Sequence, residues 1–304
     1  MTVFQPGLVH SPVTPFTSEQ RIDFDVFGKL IEFHIRNGAD ALAVPMHAGE
    51  SVSLSEAEKR AVLEFAIKRA QGRVPVIAHV SDAGTGIAAS LARHAQSAGA
   101  AAIVATTPYY WTPPPAMVLE HFAQIGAAVR LPFFVHNAPE DMGGSKITAE
   151  LALKLIAKLD NFVGVVDSGL DWQFMIELMT DAPRARPGFQ LLSGTEHLVS
   201  AGAIGATGMF SSLTAIAPKL VRQIFDLCRN DKLFEARKVQ EDIAELRQML
   251  KKSEVASLKT AMRAMSRDCG DPRAPLQALN SDEQRILANA LSAMTALRAE
   301  PRGW

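Results

Sequence analysis

Phe162-Val163-Gly164-Val165-Val166-Asp167-Ser168-Gly169 reads as a buried strand that runs into a turn. The run is apolar without strict alternation, so both faces are expected to be covered, which is the habit of a parallel sheet. Outward from it lie further short apolar runs at 8–13, 41–45, 74–79, 101–105, 133–136, 190–193 and 205–210. Amphipathic stretches long enough for helices separate them. Eight such strands alternating with helices predict an α/β fold, a (β/α)8 TIM barrel.

Several helix ends are legible. Ser55-Glu56-Ala57-Glu58 has an N-cap serine with a glutamate three residues on, followed by the apolar positions Val62, Phe65 and Ala66. The helix through Leu91, Ala95 and Ala98 stops at Gly99. Thr148 opens another that runs to Leu159. Helical patterning then covers 220 to about 250, 255–265 and 281–297. The expected division is a barrel over residues 1–219 and a C-terminal helical region over 220–304, packed on the barrel, with no linker-like break between them.

The chain has 304 residues, 48% of them hydrophobic, which suffices for a large core. Its 31 basic and 32 acidic residues leave a formal charge of -1, which argues against nucleic-acid or membrane-surface partners, since both need a basic field. Cys228 and Cys269 form no CxxC, so no thiolate metal site or redox pair is expected, and two cysteines fit a reducing compartment. The first fifteen residues lack the basic start and apolar run of a signal peptide, so a cytoplasmic location is expected. The uncharged stretch 198–218 is long enough to invite a membrane reading. Its glycines at 202, 205 and 208 and its hydroxyl residues favour a buried turn-strand-turn of a barrel instead.

In such a barrel, chemistry sits where the strands' C-terminal ends meet the βα loops. Three histidines fall at those ends: His47, His79 and His136. Imidazole titrates near neutral pH and can shuttle protons or bind a metal. Asp82, Asp141 and Asp167 lie at similar heights, so a His/Asp cluster could hold a divalent ion with an open position. The competing reading of each histidine is a hydrogen bond to a loop and nothing more. No compact motif such as HExxH supports a metal, so no cofactor is expected, and His47, His79 and His136 stay only as candidate metal ligands.

Read nearly end to end, from Pro12-Val13-Thr14-Pro15-Phe16 to about Leu287, the chain resembles the dihydrodipicolinate synthase / N-acetylneuraminate lyase family of pyruvate-handling aldolases. The family's Gly-Thr-Thr-Gly-Glu loop is matched by Met46-His47-Ala48-Gly49-Glu50, its Thr-Pro-Tyr-Tyr by Thr107-Pro108-Tyr109-Tyr110, and its Tyr-Asn-x-Pro by His136-Asn137-Ala138-Pro139. Leu192-Ser193-Gly194 and Gly205-Ala206-Thr207-Gly208 match as well. The resemblance implies that Tyr110 reaches across a dimer interface toward a neighbour's site, and hence self-association as a dimer or tetramer. It also implies substrate-contacting positions at Ala48, Gly49, Val166, Asp167 and Gly194. The family's carboxylate-binding arginine aligns near Asp141.

Where the family's strand ends Gly-Ile-Lys-Glu, this chain has Gly164-Val165-Val166-Asp167. The family's imine-forming lysine is therefore Val166, which has no nitrogen. Its two threonines are His47 and Ala48, and its tyrosine is His136. A lyase acting on a small carbonyl or carboxylate compound without a Schiff base is the leading expectation, with His47, Tyr110 and His136 as acid/base and relay groups. A catalytically silent small-molecule-binding or regulatory homologue is the second. The third is an aldolase using a displaced lysine such as Lys146, which would have to be buried with a lowered pKa.

Overall fold

The computed structural model describes residues 4–139 and 146–304. Asp141 lies outside them. In chain order the elements begin β1 (Leu8–His10), α1 (Phe24–Arg36), β2 (Ala41–Val44), α2 (Glu56–Ala70), β3 (Val76–His79), α3 (Thr85–Ala98), β4 (Ala102–Thr106) and α4 (Pro115–Ala127). Next come β5 (Phe133–Asn137), α5 (Ala149–Lys158), β6 (Phe162–Asp167), α6 (Trp172–Ala185), β7 (Gln190–Ser193), α7 (Leu198–Ala203) and β8 (Gly208–Ser211). The chain ends in α8 (Pro218–Arg229), α9 (Leu233–Leu250), α10 (Glu254–Ala264) and α11 (Ser281–Ala293). The eight strands close in sequence order into a parallel barrel, so the fold is the (β/α)8 barrel with additional C-terminal helices that the alternation predicted.

The chain folds as two compact units, 1–7 with 75–210, and 8–74 with 211–304. In the first, β4, β5, β6 and β7 run in register, with Thr106 beside His136, His136 beside Val166 and Val166 beside Leu192. Gly164 is where β6 meets its neighbours most tightly, since a Cβ there would lie 2.6 Å from the Gln190 carbonyl oxygen and 3.0 Å from the Phe134 ring. In the second unit, α1 packs on α2 and α8 on α9. The fully buried Arg267 guanidinium stacks on Phe33 at 4.2 Å and donates to the Ala215, Pro301 and Gly303 carbonyls.

The expected caps form. Ser55 and Glu58 close a capping box at the start of α2, Gly99 ends α3 in the left-handed region at φ 92°, and Thr148 caps α5. Two expectations need correction. The last strand starts at Gly208 rather than 205, because α7 occupies 198–203 and Gly205 turns the chain at φ 106°. The helix expected from 220 to 250 is two helices, broken at Asn230-Asp231-Lys232, where Asp231 takes φ 55°. Both cysteines are free and buried. Among the described residues no helix is long and apolar enough to cross a membrane.

Candidate active site

In the unit 75–210 a hydrogen-bonded group of polar side chains lies at the ends of β5, β6 and β7. Val166 is fully buried, and its register neighbour His136 is nearly so. One residue further, Asn137 pairs in register with Asp167 and donates its amide to Asp167 Oδ1 at 2.7 Å. The same amide oxygen accepts from the Ile147 N–H at 3.1 Å, which anchors the start of the segment leading into α5. Asp167 Oδ2 accepts from the Leu170 N–H at 3.1 Å. Burial pushes the Asp167 carboxyl above the usual carboxylate range, and its hydrogen bonds from Asn137, Leu170 and Gly169 only partly offset that.

His136 reaches β6 at Ser168. Its Nε2 lies 2.8 Å from Ser168 Oγ, in a hydrogen bond whose direction depends on the ring tautomer. The Ser168 backbone N–H donates to the Asn137 carbonyl at 2.8 Å, so the serine is fixed at both its main chain and its hydroxyl. Gly194, at the end of β7, completes the arrangement. Its N–H donates to the Asp167 carbonyl at 2.7 Å, and any Cβ at 194 would overlap Ser168 Oγ. Glycine is therefore what leaves room for the serine hydroxyl beside the imidazole.

At the ends of β3 and β4, His79 Nε2 lies 2.7 Å from Ser81 Oγ, and the same hydroxyl accepts from the Thr106 N–H at 2.8 Å. The direction of the His79–Ser81 bond depends on the ring tautomer, and in either direction it ties the end of β3 to the end of β4, which is the loop-holding role weighed against a catalytic one. Thr106 and Thr107 bring two buried hydroxyls to the end of β4 that have no hydrogen-bond partner among the described residues. The neighbouring tyrosines part company. Tyr109 is half-buried, its phenol pushed up by burial and by the Asp82 carboxylate, whereas Tyr110 is 100% exposed with its backbone at φ 85°. A non-glycine residue in the left-handed region carries a cost that surrounding structure must hold in place.

In the unit containing 8–74, His47 is exposed and Ala48 and Gly49 are buried in the loop after β2. Thr14 Oγ1 donates to the Gly49 carbonyl at 2.6 Å. Glu50 takes φ 55° and is held by an ion pair to Lys259 Nζ on α10 at 2.7 Å and by the Arg273 N–H at 2.7 Å. Lys259 is almost fully buried, and burial lowers its pKa while Glu50 opposes that shift. The Phe16 ring lies under both the Lys259 ammonium and the Arg273 guanidinium, at 4.4 Å from each.

Among the described residues no group of three or more His, Cys, Asp or Glu side chains is disposed to hold a metal ion. His79 and His136 each meet a serine hydroxyl through Nε2. Lys146, the displaced-lysine candidate, is 63% exposed at its side chain and faces Asp171 at 3.8 Å. It has neither the burial nor the apolar surroundings that activate an amine. Ser168 and Asn137, which were not among the residues singled out from the sequence, stand against His136 and Asp167. Their only signal was position, as small polar residues at the ends of buried strands.

A closed (β/α)8 barrel with polar groups at its strand ends is an architecture that carries many different activities, so the fold defines the class of barrel and not the reaction. Comparison with known proteins narrows this: the profile of the dihydrodipicolinate synthetase family matches residues 5–294, and the chain belongs to that family. It is 29% identical over 282 residues to the 4-hydroxy-tetrahydrodipicolinate synthase of Bacillus subtilis, a span of 92% of this chain and 96% of the relative. Identity to the Caldicellulosiruptor bescii enzyme of the same name is 30% over 281 residues, covering 92% and 93%. The crystal structure of dihydrodipicolinate synthase from Aquifex aeolicus superposes with a TM-score of 0.90 at 28% identity, covering 96% of this chain and 99% of that one. A prophage protein of the family from E. coli K12, solved in complex with pyruvate, superposes at 0.89 with 25% identity, covering 95% and 99%.

Proposed function

We propose that the protein is a lyase-type enzyme acting on a small carbonyl or carboxylate compound without forming an imine. The observation that carries this reading is the composition of the β5–β7 strand ends. A buried valine stands at 166, and the groups around it are an imidazole, a hydroxyl, a carboxamide and a carboxylate. Three lysines occur in residues 75–210, namely Lys146, Lys154 and Lys158, and all three are exposed. An amine nucleophile has no candidate in that unit. Proton transfer by imidazole and hydroxyl is the chemistry that remains, worth on the order of 10²–10⁴ in rate. The pyruvate held by the E. coli prophage protein makes small 2-oxo acids the first compounds to test.

Self-association as a dimer or tetramer belongs to the same reading. The fully exposed Tyr110, held at a positive φ, is suited to completing a neighbour's site. Two buried free thiols suit a reducing cytoplasm. The test is solvent-deuterium incorporation into a panel of small 2-oxo acids and aldehydes, followed by proton NMR. Exchange that persists after borohydride treatment is expected. Exchange that borohydride abolishes, with a covalent adduct on the protein, would overturn the reading.

A further inference from the structure

We infer that Ser168 is the group that meets the substrate, and that His136 acts through it as a serine–histidine proton relay. This deepens the imine-free reading above and rests on it. Four observations converge on Ser168 Oγ. It lies 2.8 Å from His136 Nε2, the distance of a direct hydrogen bond to an imidazole nitrogen. Its main chain is pinned to β5 by the Ser168 N–H to Asn137 carbonyl bond at 2.8 Å. The space on its other side exists only because residue 194 is glycine. It is partly open to solvent, while His136 is 9% exposed, so the hydroxyl rather than the ring is the outward member of the pair. Ser168 also follows Val166 by two residues on the same strand end, so the relay stands close to the position where the aliphatic side chain rules out an amine.

In the relay the Ser168 hydroxyl donates to His136 Nε2 at rest. When a bound carbonyl compound gives up a proton from the carbon next to its carbonyl, Ser168 Oγ takes that proton and passes its own to Nε2. The electron pair of the broken C–H bond moves into the enolate. Reversing the step returns the proton. The hydroxyl ends as it began, the imidazole carries one extra proton, and no oxidant or co-reactant is needed. The substrate class is a small carbonyl compound with an enolisable carbon.

Two measurements on the full chain test this. The first is nitrogen-15 NMR of the histidine side chains, assigned at His136 by comparison with a His136→Gln variant. The relay predicts that Nε2 is unprotonated and that its resonance moves in Ser168→Ala. A proton resident on Nε2 in the native protein would overturn the proposal. The second is labelling by a small fluorophosphonate, which forms the Ser Oγ–P bond as fluoride leaves and the serine proton passes to Nε2. Labelling that maps to Ser168 and falls at least tenfold in His136→Gln, but not in His94→Gln on α3, is expected. Labelling of Ser168 that is indifferent to His136, or no labelling at Ser168, would refute the relay. Neither result bears on imine formation, which borohydride decides separately.

Discussion

At position 166 a valine with no exposed surface sits in register between His136 and Leu192, and the imine-free proposal turns on that side chain. A lysine there would carry its amine into a buried strand end, where desolvation lowers its pKa toward the nucleophilic range. Val166→Lys is therefore expected to convert the protein into one that pyruvate and borohydride label at residue 166, read by peptide mass spectrometry. The added bulk should cost roughly 1–3 kcal/mol in stability. A folded Val166→Lys protein that stays unlabelled would show that this position does not face substrate. Position 166 could be read from the chain because its strand is a single short segment. The pairing of His136 with Ser168 could not, because the two are 32 residues apart and only the β5–β6 register joins them.

Between β1 and α1 the fold buries a pair of imidazoles. His10 and His34 are fully buried and share a hydrogen bond, Nδ1 to Nδ1, of 3.0 Å. Burial is the main reason that both resist protonation. The His34 pKa falls to about 3, and His10, with the His34 and Arg222 charges adding to burial, lies well below the usual imidazole range. The unfolded chain takes up these protons near pH 6.5, whereas the folded protein does not until far lower. Stability is thus fully present above about pH 6.5 and is lost as pH falls toward about 3. Each histidine contributes a slope of up to about 1.4 kcal/mol per pH unit. Urea titrations from pH 7 to pH 4 should show this loss, and replacing both residues by leucine should flatten it. A curve unchanged by the double replacement would contradict the assignment. Element starts and stops were legible where a cap carries them, as at Ser55, Gly99 and Thr148. The break at Asn230-Asp231-Lys232 was not, since its polar residues also suit a helix surface and the left-handed Asp231 leaves no glycine to mark it.

Across the molecule, remote chain segments are tied together by groups whose periodicity says nothing about their partners. Lys259 looks like any helix lysine, yet it is buried against Glu50 beside the Phe16 ring. Lys259→Met should destabilise the protein by about 3–5 kcal/mol, because it strands the Glu50 carboxylate. The Glu50→Gln/Lys259→Met pair should cost less than the single change, and equal losses in chemical denaturation would show the two groups to be independent. The barrel itself was readable because eight buried runs alternate with helices, a pattern that few other folds satisfy. The reaction was less readable because it depends on what several strand ends present together. The most direct check on the imine-free proposal is the intact mass of the native chain after incubation with pyruvate and borohydride. The unmodified mass of the 304-residue chain is predicted. A stoichiometric adduct on any lysine would contradict the account.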